Sequence, residues 1–279
     1  MRPLPKPGTD AGDFFSTCLS RIKDPDLKAR LTAVKAQIVA AASGFDAAVE
    51  ATQLHRLSPH TGVGHHVTTE EMVNVYTSRM AKQGAPGREV YDQLLTSPPQ
   101  GQCPLCGQRD VASLDHHLPK MHFPQLAVVP TNLIPACSNC NRVKLSQRPL
   151  TPEEETLHPY FDQVHTERWL SALVAQSQPA AVAFQVVKPP GWSMLTYQRM
   201  QHHFATFELA PLYAAHAAVE LNNMRFGLTE LFAIGGAQAV KQHLELHASS
   251  CRHAQLNSWQ TALYSALAAD TWFHAGEFN

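Results

Sequence analysis

The amino-acid sequence predicts an α+β protein that is mainly α-helical, with a small cysteine-containing segment between helical N- and C-terminal parts. Three observations predict this class. Apolar residues recur at helical spacing over most of 10–95 and again from 194 onward. Proline and glycine clusters set off a central segment, 97–150, that contains four of the six cysteines. Hydrophobic residues make up 44% of the 279 residues and charged residues only 16%, so the chain can bury a sizeable core.

The first region, 1–96, is expected to be helical after a loose, proline-rich start at 1–9. Asp24 followed by Pro25 is typical of a helix start, because aspartate caps the first turn and proline suits its first position. The breaker run SPPQG at 97–101 then predicts a boundary before the central segment.

The last region, 151–279, is expected to be mostly helical with one or two short strands. The stretch 167–177 is expected to be helical, whereas 180–187 (AAVAFQVV) is the best candidate for a strand. Gly235 and Gly236 interrupt the later helical pattern and predict two long helices separated there. The sequence contains no Gly/Ser-rich linker, so the three regions could pack as one body.

Composition limits the classes of protein. The formal net charge is −1, so a nucleic-acid partner would have to be held by a local basic patch. No apolar run reaches the roughly 18–20 residues of a membrane span, and no secretion signal is visible, so no membrane partner is expected. Six cysteines in so long a chain do not resemble a secreted disulfide scaffold. We therefore expect a cytoplasmic location.

Two Cys-x-x-Cys pairs in the central segment predict a structural zinc site. Cys103 and Cys106 form the first pair, and Cys137 and Cys140 form the second. Four thiolates complete the tetrahedral shell of one Zn²⁺ and leave no open coordination position, so such an ion would support the fold. Four unrelated buried cysteines are the alternative, and neither pair lies in the βαβ pattern of a thioredoxin-like redox site.

Asp-His-His-Leu-Pro-Lys lies between the cysteine pairs at 115–120, an Asn-Leu follows at 132–133, and Asn-Arg-Val-Lys ends the segment at 141–144. From Cys103 to Lys144 this arrangement resembles the zinc-supported subtype of the HNH endonucleases, whose fold is the ββα-metal (His-Me) finger. The resemblance implies hydrolysis of phosphodiester bonds in DNA, leaving a 5′-phosphate and a 3′-hydroxyl. It covers little of the chain outside this segment.

The resemblance implies a role for each polar residue. Asp115 and Asn141 correspond to ligands of the catalytic divalent ion, and oxygen ligands favour Mg²⁺ or Mn²⁺. His116 corresponds to the general base that takes a proton from water, and Asn132 to the asparagine that fixes the loop and orients this histidine. The neighbouring His117 is expected to point to the opposite face of the strand.

Basic residues and further histidines are weaker candidates. Lys120, Arg142 and Lys144 give the segment a local positive surplus and are candidate contacts to nucleic-acid phosphates. Ordinary solvated charges are the alternative for both lysines. His243 and His247 are four positions apart and could share a metal, but a polar helix face is the better interpretation, because the His-Glu-x-x-His order is not met.

From this resemblance we expect a metal-dependent HNH endonuclease acting on DNA, in phage defence or a mobile element. Two alternatives stay open. One is a non-catalytic zinc-supported module that binds nucleic acid or protein, and the other is an RNA-cleaving toxin with the same chemistry. The helical flanks could bind DNA, form a homodimer, or contact a partner ATPase or another defence protein, and the sequence does not distinguish these roles.

Overall fold

The computed structural model describes residues 1–278 and has an α+β fold that is mainly helical, with small antiparallel sheets. The chain divides into two compact units, Met1–Asp162 and Gln163–Asn279. The expected helical region 1–96 and the central segment 97–150 therefore lie in one unit. Within the described residues, no helix combines the length and the apolar composition needed to cross a membrane.

The first unit consists of short helices and two antiparallel hairpins. Its helices are α1 (Ala11–Leu19), α2 (Pro25–Ala33), α3 (Lys35–Glu50), α4 (Thr69–Asn74), α5 (Arg88–Thr96) and α6 (Ser138–Lys144). The segment Val75–Ala81 continues α4 with π-helical geometry. Its strands pair as β1 (Gly62–Val63) with β2 (Val67–Thr68), and as β3 (Ser113–His116) with β4 (Leu133–Ala136).

The start of the chain is ordered, whereas the sequence predicted that 1–9 would be loose. Met1 and Leu4 are buried. The N–H of Arg2 donates a hydrogen bond to the Pro104 carbonyl over 2.8 Å, and the N–H of Leu4 donates to the Pro159 carbonyl over 2.9 Å. Backbone hydrogen bonds and buried apolar side chains thus offset the entropy of ordering this segment.

One hydrophobic core joins the N-terminal helices to the central segment. Ile38 and Phe45 from α3 belong to the same buried cluster as Leu118, Phe123 and Val129, which lie between β3 and β4. The long connection between the two strands is therefore an integral part of this core. For this reason the boundary expected near residue 96 does not separate two compact bodies.

The second unit combines a hairpin with a helical bundle. Its elements are β5 (Leu170–Ala175), β6 (Ala181–Val186), α7 (Met194–Thr206), α8 (Leu209–Ala254), α9 (Trp259–Ala269) and α10 (Thr271–His274). The strand expected at 180–187 is confirmed as β6. The helix expected at 167–177 is wrong, because antiparallel pairing with β6 holds LSALVA extended although leucine and alanine favour helix.

Helix α8 turns back on itself at Gly236, whose φ of 62° and ψ of −162° suit glycine alone. Tyr264 donates a hydrogen bond to Glu220, and its ring stacks on that of His247 with centroids 5.0 Å apart. At 1.5 Å per residue, a straight helix would hold Glu220 and His247 about 40 Å apart. The two arms of α8 therefore run side by side, and the expected break at Gly235 and Gly236 is confirmed.

Candidate metal centre and active-site cleft

The four thiols of the two Cys-x-x-Cys pairs come together. Their sulfur atoms all lie within 4.8 Å of one another, and all four residues are buried: Cys103, Cys106, Cys137 and Cys140. Zn–S bonds of about 2.3 Å place the corners of a tetrahedral site about 3.8 Å apart, so this cluster fits a single Zn²⁺. The cluster could hold the zinc ion expected from the sequence.

The turns around the cysteines help to stabilise thiolates. The Gly107 N–H donates to the Cys103 carbonyl over 2.7 Å, and a φ of 65° explains glycine at this position. At the start of α6, the Cys140 N–H donates to Cys137 Sγ over 3.4 Å. Hydrogen bonds among the four sulfur atoms lower the pKa of Cys106 and Cys137 and raise the pKa of Cys103 and Cys140, so two of the four thiols deprotonate first. A lowered thiol pKa favours the deprotonated form that metal binding requires.

Beside the cysteine cluster, β3, β4 and α6 follow one another in the order strand, strand, helix. Asp115 pairs with Ile134 and His116 with Leu133 across the hairpin. A cleft of about 740 Å³ opens between β3 and α6. Its polar lining includes Ser113, Asp115, His116, Lys120, Asn141 and Arg142. The structure thus brings five of the expected site residues into one cleft: Asp115, His116, Lys120, Asn141 and Arg142.

The ring of His116 is fixed in orientation and protonation state. Its Nε2 lies 2.9 Å from the Ala127 carbonyl. A carbonyl can only accept, so Nε2 carries the hydrogen and Nδ1 is the basic nitrogen of the neutral ring. Burial, with the positive charge of Lys120, lowers the pKa of His116 to about 3. The Tyr76 ring packs against the imidazole edge-to-face, with centroids 4.5 Å apart.

Asn132 is fully buried, and its side chain hydrogen-bonds to the backbone of the loop that follows His116. Its Oδ1 accepts a hydrogen bond from the Leu118 N–H over 2.8 Å. Its Nδ2 donates to the carbonyls of Leu118 and Leu126 over 3.1 and 3.2 Å. Leu126 directly precedes Ala127, the carbonyl partner of His116. Asn132 therefore fixes the backbone at Leu118 and at the residue before Ala127.

Asp115 meets a buried lysine. Lys144 is only 4% exposed, and its Nζ lies 3.1 Å from Asp115 Oδ2 and donates to the His116 carbonyl over 2.6 Å. Burial raises the pKa of Asp115, and the charge of Lys144 opposes that shift. The sequence suggested Lys144 as a contact to nucleic-acid phosphates. The structure corrects this assignment, because so buried an ammonium serves the carboxylate and the backbone instead.

The remaining polar residues line the cleft between β3 and α6. Asn141 Nδ2 donates to Ser113 Oγ over 2.9 Å and so links the helix to the strand. Arg142 is exposed on the same helix. Lys120 is half-buried, and its Nζ lies 5.2 Å from the centroid of the Tyr76 ring. Arg142 and Lys120 are therefore the basic groups of the cleft that an anion could reach.

His117 points away from the cleft, as the alternation of strand side chains predicts. Its ring packs against His158, with centroids 4.4 Å apart, and near Phe45, with centroids 6.4 Å apart. Sequence reasoning did not assign Tyr76 to the site. Its position in an apolar helical row gives no local sign of contact with His116, which lies 40 positions later.

The two histidines on α8 lie on an exposed, polar face of the helix in the structure. The rings of His243 and His247 have centroids 4.5 Å apart, and both residues are exposed. Burial, with the charge of His247, lowers the pKa of His243. Over residues 1–278, the cysteine cluster is the only group of three or more His, Cys, Asp or Glu side chains close enough to share a metal.

Comparison with known proteins gives one distant similarity. Protein ea31 of Escherichia phage lambda is 28% identical to this chain over 236 residues, which cover 80% of this chain and 79% of that protein. No protein-family model matches the sequence, and no solved structure matches it. Since unit 1 ends at Asp162, a match of this length includes residues of both units and extends beyond the cysteine-bounded segment.

Proposed function

We propose that the chain is a metal-dependent endonuclease of the HNH type that hydrolyses phosphodiester bonds of DNA. The observation that carries this proposal is the shared cleft of Asp115, His116 and Asn141, next to a buried four-cysteine cluster. The order of β3, β4 and α6 supports it further, because a ββα unit is what the resemblance implies.

His116 is the general base of the proposed reaction. The Ala127 carbonyl keeps hydrogen on Nε2, so the neutral ring offers Nδ1 to a water molecule in the cleft. Positive charge from Lys120 contributes to the low pKa of the histidine. A DNA phosphate would bring negative charge into the cleft, offset this field and raise the basicity of the ring.

Asp115 and Asn141 are the proposed ligands of the catalytic ion. A carboxylate and an amide oxygen suit Mg²⁺ or Mn²⁺, and both residues line the same cleft. A bound ion would supply charge stabilisation at the phosphate and the leaving oxygen. Lys144 already holds a positive charge 3.1 Å from Asp115 Oδ2, so this lysine must share the carboxylate or withdraw when the ion binds.

Two other groups of residues complete the proposal. Arg142 and Lys120 contact the DNA backbone near the scissile phosphate, because both line the cleft and neither is fully buried. Structural zinc on the cysteines keeps β3 and α6 in place.

A cytoplasmic location fits thiols kept reduced for zinc. The similarity to a phage protein supports a role in a mobile element or in phage defence.

The test is a cleavage assay on supercoiled plasmid with Mg²⁺ or Mn²⁺ added to the zinc-loaded protein. Wild type is expected to nick or linearise the plasmid, and His116→Ala to lose this activity. His122→Ala is the matched control, because His122 is an exposed histidine six positions away. Cleavage at equal rates by wild type and His116→Ala would overturn the proposal. An RNA substrate in parallel tests the toxin alternative.

A non-catalytic binding module is the second candidate, and one observation favours it. The ion pair with Lys144 already neutralises Asp115, so the carboxylate has a partner without a divalent ion. Calorimetry with Mn²⁺ separates the two candidates. The nuclease proposal requires binding that Asp115→Asn removes. A protein that binds DNA but neither binds Mn²⁺ nor cuts would be the module.

A further inference from the structure

The C-terminal unit contains a second polar cleft, of about 620 Å³. The second arm of α8, α9 and α10 form its walls, and Arg168, just before β5, lies at its edge. Lys241, Glu245, Ser249 and Arg252 recur every three or four residues along α8, so they share one helical face toward the cleft.

Positive charge exceeds negative charge in this cleft. Arg168, Lys241 and Arg252 face one carboxylate, Glu245, whose Oε1 lies 3.8 Å from Lys241 Nζ. Both partners of that pair are about half exposed, so the ion pair is weak. The two arginines have no carboxylate within ion-pair distance in the described part of the chain. Arg252 makes only a long hydrogen bond to Ser265 Oγ, at 3.4 Å.

The two arginines are close enough to affect each other. Burial, with the positive charge of Arg252, lowers the pKa of Arg168. Gathering like charges around a cleft is unfavourable unless an anion compensates them. Guanidinium groups match the oxygens of a phosphate in pairs, and the hydroxyls of Ser249, Ser265 and Thr271 offer further donors on the same lining.

We propose that this cleft binds the phosphates of a nucleic-acid backbone, as a contact separate from the cleft of the first unit. Arg168 and Arg252 are both exposed, so an extended polymer can reach them. The choice of nucleic acid over a free nucleotide rests on the nuclease function proposed above. The phosphate chemistry rests on the arginines and hydroxyls alone.

The test measures binding of a labelled DNA duplex to the zinc-loaded full chain, without added Mg²⁺ or Mn²⁺, across a series of salt concentrations. The variants are Arg168→Gln, Arg252→Gln and the double substitution. Each arginine removed is expected to reduce the slope of log affinity against log salt by about 1, because one fewer phosphate is neutralised. Lys188→Gln is the control, since this exposed lysine of the same unit lies outside the cleft.

Parallel titrations with pyrophosphate and with a nucleoside triphosphate distinguish the two sources of phosphate. If the double variant loses nucleotide binding but binds DNA as wild type does, the proposal of a nucleic-acid ligand is overturned. The ligand of the cleft would then be a free nucleotide. No change with any of these ligands would overturn the site itself. If the arginine variants show reduced salt slopes but the wild-type protein does not cut DNA, the phosphate contact in this cleft is supported. The nuclease proposal is then refuted. Melting temperatures equal to wild type confirm that the variants are folded.

Discussion

Replacing Lys144 by methionine tests whether this lysine stands in for a divalent cation at Asp115. The ammonium and the carboxylate are 3.1 Å apart and both buried. Removing one partner of a buried ion pair typically costs about 3–5 kcal/mol, because it leaves an uncompensated charge. For a unit of this size, that loss lowers the melting temperature by roughly 6–20 °C.

The same substitution should improve metal binding. Without the competing ammonium, Asp115 can give its charge wholly to the ion, and we expect Mn²⁺ to bind about tenfold tighter, which corresponds to about 1.4 kcal/mol. Saturating Mn²⁺ should therefore raise the melting temperature of Lys144→Met more than that of wild type. Thermal unfolding with and without Mn²⁺ gives the change in melting temperature. Titration calorimetry with Mn²⁺, at the same pH for both proteins, gives the change in affinity.

The pH dependence of the metal-free variant follows from Asp115. Burial raises the pKa of this carboxyl in the fold, and loss of the lysine removes the charge that opposes the shift. A raised pKa stabilises the fold below the unfolded value, about 3.9 for aspartate, and this contribution is lost as pH rises through the folded value. The stability of Lys144→Met should therefore fall more steeply above about pH 4 than that of wild type.

Lys82→Met, an exposed lysine of the same unit, is the control and should change neither stability nor Mn²⁺ affinity. An equal melting temperature for Lys144→Met and wild type, with no gain in Mn²⁺ affinity, would contradict this coupling. That result would mean that the lysine and the carboxylate do not depend on each other.

Three further substitutions test other parts of the molecule. Asn132→Ala removes three buried hydrogen bonds, so it should cost about 3 kcal/mol and, by displacing His116, slow plasmid cleavage about 100-fold. Cys140→Ser should reduce bound zinc, measured by atomic absorption, and broaden the unfolding of unit 1. Gly236→Ala should destabilise unit 2 by about 1–3 kcal/mol, because a side chain is strained at φ 62° although there is space for it.

Each of these substitutions has a control or a contrary outcome. Asn223→Ala, an exposed asparagine on α8, should leave cleavage unchanged, and equal activity of Asn132→Ala and wild type would contradict the positioning role. Full zinc content in Cys140→Ser would contradict a four-sulfur site. Gly227→Ala places a methyl group in open space within a helix and should stabilise α8, so equal effects at both glycines would contradict the turn.

The central segment was the most predictable part of the chain, because its features depend on short spacings. Two residues between cysteines bring two sulfurs onto one turn, and strand alternation separates His116 from His117. The four-cysteine cluster and the direction of His117 could therefore be expected from sequence. The catalytic metal, the substrate and the reaction stay predictions.

Features that depend on distant partners were not predictable from the sequence. The stretch 167–177 has helical propensity, and only its pairing with β6 makes it a strand. Lys144 looked like a surface charge, because its burial requires α6 to pack on β3. Tyr76 reaches His116 across 40 positions of sequence. Each of these contacts is set by tertiary packing, which local patterns do not encode.

The shared core of the first unit limits how the cysteine-bounded segment can be transplanted. Leu118, Phe123 and Val129 are buried in the same cluster as side chains of α3. Excising 97–150 as a separate polypeptide would expose these side chains to water, at about 25 cal/mol for each Å² of apolar surface. The segment is therefore not expected to fold when it is separated from the N-terminal helices. Grafts, truncations and chimaeras should keep Met1–Asp162 intact.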